Sequence, residues 1–403
     1  MGDFFQNGPI ATLHDLRIRR YEELEADLTA WAPTRPMSLI IPSLFSELES
    51  DALRHIVSEL AQVPFLDQII IGLDRADEEQ FRFAREFFSK LPQHTRILWN
   101  DGPRLREVDE IFADHSITPI EPGKGRNVWY CIGYFLASAR GEVVGLHDAD
   151  IVTYDRSMVA RLFYPVVHPT FGYSFAKGYY FRTDGERING RVARLLVTPL
   201  IRALRQCLGD SDYLDYLDSF RYPLAGEFAM HINVVRNIRI PSDWGLEIGV
   251  LSEVQRRYTT QRICQVELAD AYDHKHQQVS FEDPTTGLHK MSRDITKALY
   301  RKMAIGGAVL SPEIFRTIKA SYYRMALDMV ERYANVAAIN GLDFDSHSEE
   351  RLVEVFAQAV MEAGDDYLRL PMETPFIASW ARVQSAVPDA FHLIHQAVEA
   401  DNA

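Results

Sequence analysis

Cysteine is scarce in this 403-residue chain: Cys131, Cys207 and Cys264 are the only three, far apart and without a Cys-x-x-Cys pair. That excludes a disulfide framework and a zinc knuckle, and the chain reads as a cytoplasmic protein. Long apolar runs are also missing. No stretch reaches the roughly eighteen uncharged apolar residues of a membrane span. The start, Met1-Gly2-Asp3-Phe4-Phe5-Gln6, lacks the basic residues and apolar run of a signal peptide. Positive charge is in deficit, with 43 Lys and Arg against 57 Asp and Glu for a net −14. Such a surface repels a phosphate backbone and excludes nonspecific nucleic-acid binding, although a local basic pocket is compatible with it. With only 22 Gly and 19 Pro, collagen-like and low-complexity classes are excluded as well. What remains is an ordinary globular composition, long enough for one large domain or two unequal ones around a sizeable core.

Ile10 to Trp31 reads as an amphipathic helix ending in Ala32-Pro33-Thr34-Arg35-Pro36, an arm spanning residues 1–36. Met37 to Ile41 is then a strand stopped by Pro42-Ser43. Ser46-x-x-Glu49 has the spelling of a capping box ahead of Leu53, Ile56, Val57 and Leu60 at helical spacing. The alternation repeats with a strand at Ile69 to Leu73, a helix at Glu78 to Lys90 and a strand at Arg96 to Trp99, which predicts a parallel sheet flanked by helices. After the turn Glu121-Pro122-Gly123-Lys124-Gly125 come a helix, Arg126 to Ala139, and a strand, Glu142 to His147, running into Asp148-Ala149-Asp150. An aromatic strand pair is expected around Phe171 to Phe181 and a helix from Asn189 to Cys207. From Gly287 onward the pattern is helical, with Ser311-Pro312 as an N-cap and first-turn pair and Ser346-x-x-Glu349 as a second capping box.

Asp148 and Asp150 sit at the carboxyl end of a buried strand, the edge where open α/β sheets collect ligands. Two carboxylates there suit Mg²⁺ or Mn²⁺ together with diphosphate oxygens. Asp210-Ser211-Asp212 and Asp343-Phe344-Asp345 share the spelling but lie in turn-like, polar settings. Either histidine of Asp273-His274-Lys275-His276 could complete a metal shell, whereas strand alternation points His147 away from Asp148. Lys124 between two glycines, just before a helix, is a candidate anion contact. It is not part of a P-loop, and no Gly-x-Ser-x-Gly elbow or His-Glu-x-x-His helix is present.

Taken in order, Pro122-Gly123-Lys124-Gly125, a helix, the strand into Asp148-Ala149-Asp150, Pro223-Leu224-Ala225-Gly226-Glu227, Trp244-Gly245-Leu246-Glu247-Ile248-Gly249 and Asp273-His274 form a specific set. It resembles the glucosyl-3-phosphoglycerate synthase family of retaining GT-A glycosyltransferases, over about residues 37 to 285. The resemblance implies an α/β GT-A domain, Rossmann-like and nucleotide-sugar-binding, at 37–286, with a mostly helical extension at 287–403. It implies nucleotide-sugar contacts at Pro42, Ser43, Leu44, Glu47, Asp74, Lys124, Asp148 and Glu247, and metal ligation by Asp150 and His274 with Asp148 beside them. It also places the Leu224 carbonyl by the anomeric centre, Glu247 on sugar hydroxyls, and Gly190, Arg191, Glu227 and His276 around the acceptor, with Leu224, Glu247 and Arg191 the catalytic set.

Three positions depart from the family pattern: Ala225 replaces a glycine, Ala193 a threonine and His276 an asparagine. The implied reaction is metal-dependent transfer of glucose from a nucleotide diphosphate sugar to the 2-hydroxyl of 3-phosphoglycerate or glycerate. The competing readings are a transferase using mannose or another small acceptor, a metal-dependent hydrolase built on Asp148, Asp150, His274 and His276, and a noncatalytic nucleotide-sugar-binding protein. The capped helices after Gly287 carry apolar faces and no chemical motif, so they are expected to contribute to a homodimer surface.

Overall fold

The computed structural model describes residues 6, 8–117, 123–274, 287–371 and 376–403. Nine strands are named here: β1 Ala11–Leu13, β2 Met37–Leu44, β3 Leu66–Asp74, β4 His94–Trp99, β5 Val143–Leu146, β6 Phe175–Arg182, β7 Phe228–His231, β8 Ile240–Pro241 and β9 Ile263–Tyr272. All but β8 form one sheet in the order β1-β9-β6-β7-β5-β2-β3-β4. Only β7 runs against its neighbours. The chain runs outward from β2 to β3 and β4 and then returns to the other side of β2 as β5, so the carboxyl ends of β2 and β5 flank the point where the strand order reverses, the place where such sheets bind ligands.

Side-chain alternation explains why both faces are buried. Ile40, Ile70, Leu98 and Leu146 point into one core, with the helix Lys124–Ser138 and the C-terminal helices. Leu39, Ile41, Ile69, Ile71 and Ile97 point into the other, with the helices Asp51–Leu60, Glu78–Phe88 and Arg156–Val167.

Local expectations fail where tertiary partners override them. The first helix runs only Tyr21–Trp31, because residues 11–13 pair with β9 instead, and buried Thr12 accepts from Gln265 Nε2 at 2.9 Å. Ser46 and Glu49 form no capping box: Phe45–Glu49 is a 3₁₀ turn, and Ser50 Oγ caps the next helix by accepting from Leu53 N–H at 3.2 Å. Asp345, rather than Ser346, caps Ser346–Arg369. Phe171 to Phe181 yields a single strand, β6, with Phe171 stacked on His168 ahead of it. The expected helix from Asn189 begins as a π-helix, Val192–Val197, before Thr198–Leu208. Pro199 has no N–H to offer Leu195, and the Tyr322 hydroxyl donates to that carbonyl at 2.8 Å.

The C-terminal region packs against the rest of the fold. Helices Gly287–Ile305, Pro312–Asn340 and Ser346–Arg369 pack on one another and on Thr198–Leu208. The strand β10, Phe376–Ile377, pairs with β8, a strand within a region that otherwise reads as helical. Trp380 then stacks on Trp129 at 4.2 Å, and the terminal helix Ala390–Asn402 covers the sheet edge. There Asn402 bonds both backbone groups of Ile97, at 3.0 and 2.8 Å, capping the edge strand β4 as a neighbouring strand would. Among the described residues no helix is long and apolar enough to cross a membrane.

Candidate active site

Since β7 is reversed, its amino end shares an edge with the carboxyl ends of β2, β3, β5, β6 and β9. Glu227, Asp74, Asp148, Asp150 and His274 therefore converge although they span two hundred residues of sequence, or about half the chain. The loop after β5 is fixed to the end of β9 by a bridge between Ile151 and His274 and by Val152 N–H donating to the Asp273 carbonyl at 2.8 Å.

This brings one ligand atom each from Asp148, Asp150 and His274 within 4.8 Å of one another. His274 Nδ1 lies 3.6 Å from Asp150 Oδ1, too far for a hydrogen bond, and this buried nitrogen has no hydrogen-bond partner. An orphaned imidazole nitrogen facing two carboxylates fits a divalent cation with mixed oxygen and nitrogen ligands. His147 behaves as alternation predicts: it points into the core against Tyr154, and burial lowers its pKa to about 3.

Lys124 starts its helix 2.6 Å from Asp148 Oδ1 and 3.4 Å from Glu247 Oε1. Burial works against the ammonium, but Asp148 and Glu247 outweigh it and hold the group above its ordinary pKa. Burial likewise raises Asp148, and Lys124 more than reverses that, leaving the carboxylate below its ordinary range. Two glycines make this packing possible. A Cβ on Gly226 would stand 2.3 Å from Asp148 Oδ2, and one on Gly125 would stand 1.9 Å from the Pro241 carbonyl oxygen.

Behind this ion pair lies a buried polar layer that local patterns do not reveal. Lys177, on β6, donates from Nζ to the Ala225 carbonyl, and burial lowers its pKa to about 8. Glu227 accepts from the Tyr180 hydroxyl at 2.6 Å and the Tyr272 hydroxyl at 2.7 Å, and those two rings stack at 3.6 Å. Burial, with Asp148 nearby, raises the Glu227 pKa. A lysine in the middle of the apolar strand Phe-Ala-Lys-Gly-Tyr-Tyr-Phe is the one sequence signal that marks this layer.

The remaining candidates are distributed around the same edge. Pro42, Ser43 and Leu44 end β2, with Glu47 buried in the turn beyond. Asp74 ends β3, accepts from Asn100 Nδ2 at 2.8 Å and is raised in pKa by burial. Leu224 lies in the turn before β7, half-buried. Gly190 has a left-handed φ of 72° and backs onto Arg182 and Tyr222. Arg191 follows, its Nε donating to Glu349 at 2.9 Å. Pro122 and His276 lie outside the described residues.

A curated protein of Persephonella marina, named glucosyl-3-phosphoglycerate synthase, is 44% identical to this chain over the full length of both. The chain belongs to the glucosyl-3-phosphoglycerate synthase family. A second member of the family, from Methanococcoides burtonii, is 39% identical across 99% of this chain and 98% of its own. No family model matches the sequence. Crystal structures of the Mycobacterium tuberculosis glucosyl-3-phosphoglycerate synthase share the fold at 22% identity. One, in complex with phosphoglyceric acid, has a TM-score of 0.54. Another, with Mn²⁺, UDP-glucose and phosphoglyceric acid, has a TM-score of 0.55. Each match covers 73% of this chain and 88% of the mycobacterial one.

Proposed function

We propose that this protein transfers glucose from UDP-glucose to the 2-hydroxyl of 3-phosphoglycerate with retention of configuration, using Mg²⁺ or Mn²⁺. The observation that carries the reading is the Asp148, Asp150 and His274 group beside Lys124 at the carboxyl edge of the sheet. Four carboxyls, Asp148, Asp150, Glu227 and Glu247, stand near two lysines, Lys124 and Lys177, an excess of negative charge that a divalent cation offsets.

Asp150 and His274 would hold the cation, with Asp148 at its side; when bound, it offsets the charge that develops on the departing diphosphate. Lys124 supplies a second, fixed positive charge to the same leaving group. Glu247 would take sugar hydroxyls; its place 3.4 Å from Lys124 supports that reading. Glu227 follows the Leu224 turn by three residues and is buried, but tyrosine hydroxyls donate to both its oxygens. It is thereby spoken for as a structural acceptor, not a free nucleophile. Front-face transfer, in which the departing diphosphate takes the proton of the acceptor hydroxyl, needs no nucleophile from the chain. The protein's share is then orientation: Lys177 fixes the Ala225 carbonyl next to Leu224, and Arg191 binds the acceptor anion.

The test is mass spectrometry of products from UDP-glucose with and without 3-phosphoglycerate. Transfer predicts glucosyl-3-phosphoglycerate only when acceptor is present. A metal-dependent hydrolase would release sugar phosphate or free sugar without acceptor, and a noncatalytic binder would give no product.

A further inference from the structure

The helix Ser346–Arg369 belongs to the region without chemical motifs, yet it delivers Glu349, 4% exposed, to the helix start that carries Arg191. Glu349 Oε1 accepts from Arg191 Nε at 2.9 Å, and its Oε2 lies 2.5 Å from Arg194 Nη1. The two arginines differ in kind. Arg194 is 5% exposed, donates from Nε to the Asn189 carbonyl and from Nη2 to the Ile188 carbonyl, and lies over the rings of Tyr333 and Phe344. Its charge is consumed in holding the loop. Arg191 keeps 38% of its side chain exposed. One carboxylate against two guanidinium groups leaves a net positive charge, and the accessible share of it sits on Arg191.

The grip through Nε also fixes an orientation. A guanidinium presents either its side, through Nε and one terminal nitrogen, or its end, through both terminal nitrogens. With Nε taken by Glu349, the end of the Arg191 fork is left for an anion. A second contact between the same regions supports this placement: Asp343 N–H donates to the Glu186 carbonyl at 2.8 Å, and Arg187 bridges to Asp343, tying down the hairpin that precedes Gly190.

We propose that Glu349 is a positioning residue for the acceptor anion: it orients Arg191 from the C-terminal region and so makes that region part of the acceptor site. The inference rests on the reading of Arg191 as the acceptor's anion contact. The experiment is a double-variant cycle of Arg191→Ala and Glu349→Gln, read as KM for 3-phosphoglycerate and, separately, for UDP-glucose. Glu349→Gln is expected to raise the acceptor KM about tenfold, the scale of a weakened charge-assisted contact. The donor KM should stay within about twofold, and the variant should add nothing in the Arg191→Ala background. An acceptor KM unchanged in Glu349→Gln, an equal rise in both KM values, or effects that multiply in the double variant would overturn the positioning role. If Arg191→Ala alone leaves the acceptor KM unchanged, the reading of Arg191 fails and the inference falls with it. Should Glu349→Gln not fold, Glu349→Asp keeps the charge but withdraws it by one methylene. It must then give the same split between acceptor and donor KM, and absence of that split counts against the proposal.

Discussion

Lys124 Nζ stands 2.6 Å from Asp148 Oδ1, so the cation expected to meet the diphosphate is already paired with a carboxylate beside the metal group. In the free protein each partner neutralises the other in a site where burial penalises both. A metal–diphosphate unit can replace these interactions with matching ones, Asp148 turning to the cation and Lys124 to the phosphate. Lys124→Met is therefore expected to raise the KM for UDP-glucose by about 10- to 100-fold and to lower kcat, as loss of a charge-assisted contact implies. Steady-state kinetics with varied UDP-glucose checks it, and a donor KM within twofold of the native value contradicts the pairing's role.

Gly226 gives a steric test of the same site. An added methyl would stand 2.3 Å from Asp148 Oδ2, and the side chain of Asp148 has to move to admit it. Gly226→Ala should fold, since the clash is with a side chain, while its affinity for Mn²⁺ falls at least about tenfold. Titration of Mn²⁺ by isothermal calorimetry, with circular dichroism as the folding control, measures this directly.

The limits of local sequence patterns follow from where each signal resides. Strands at the sheet centre, such as Ile69-Ile70-Ile71, are read because burial on both faces makes them continuous apolar runs. The four residues Phe228–His231 carry no such run and are recognised only from their pairing, although the reversal of β7 is what brings Glu227 to the site. β1 is shorter still, and its pairing with β9 spans most of the chain. Asp148 and Asp150 are legible because the strand before them fixes their place on the edge. The union of Asp150 with His274 is not local, and only the ordered set of family motifs anticipates it. Lys177 stands out only as a charge within an apolar strand, and Tyr180 and Tyr272 remain hidden because each gains its meaning from Glu227, on a different strand or turn.

Asp243 supplies a pH dependence. Burial, reinforced by Asp294, raises its pKa to about 6. The folded state therefore binds more protons than the unfolded state between about pH 4 and 6. Its stabilising contribution is complete below pH 4 and lost as pH rises through about 6. Asp243→Asn should remove that decline, making the variant more stable relative to the native protein at pH 7.5 than at pH 4, by on the order of 1 to 3 kcal/mol. Urea unfolding at the two pH values is the measurement, and an equal difference at both contradicts the assignment.

The region after Gly287 exposes Ile305, Val309, Ile339 and Leu370, and we expect a homodimer that covers some of these side chains. Light scattering of the full chain should return twice the 46.1 kDa subunit mass. A monomer would contradict the dimer and leave the catalytic account intact.

The central claim is metal-dependent glucose transfer at Asp148, Asp150 and His274. Its most direct test is the rate of glucosyl-3-phosphoglycerate formation from UDP-glucose and 3-phosphoglycerate, followed by mass spectrometry after exhaustive chelation and again on adding Mn²⁺. The native protein should lose product formation on chelation and recover it with Mn²⁺, while Asp150→Ala, folded by circular dichroism, should remain at least about a hundredfold slower in either state. Undiminished transfer by the chelated protein, or by Asp150→Ala, would contradict it.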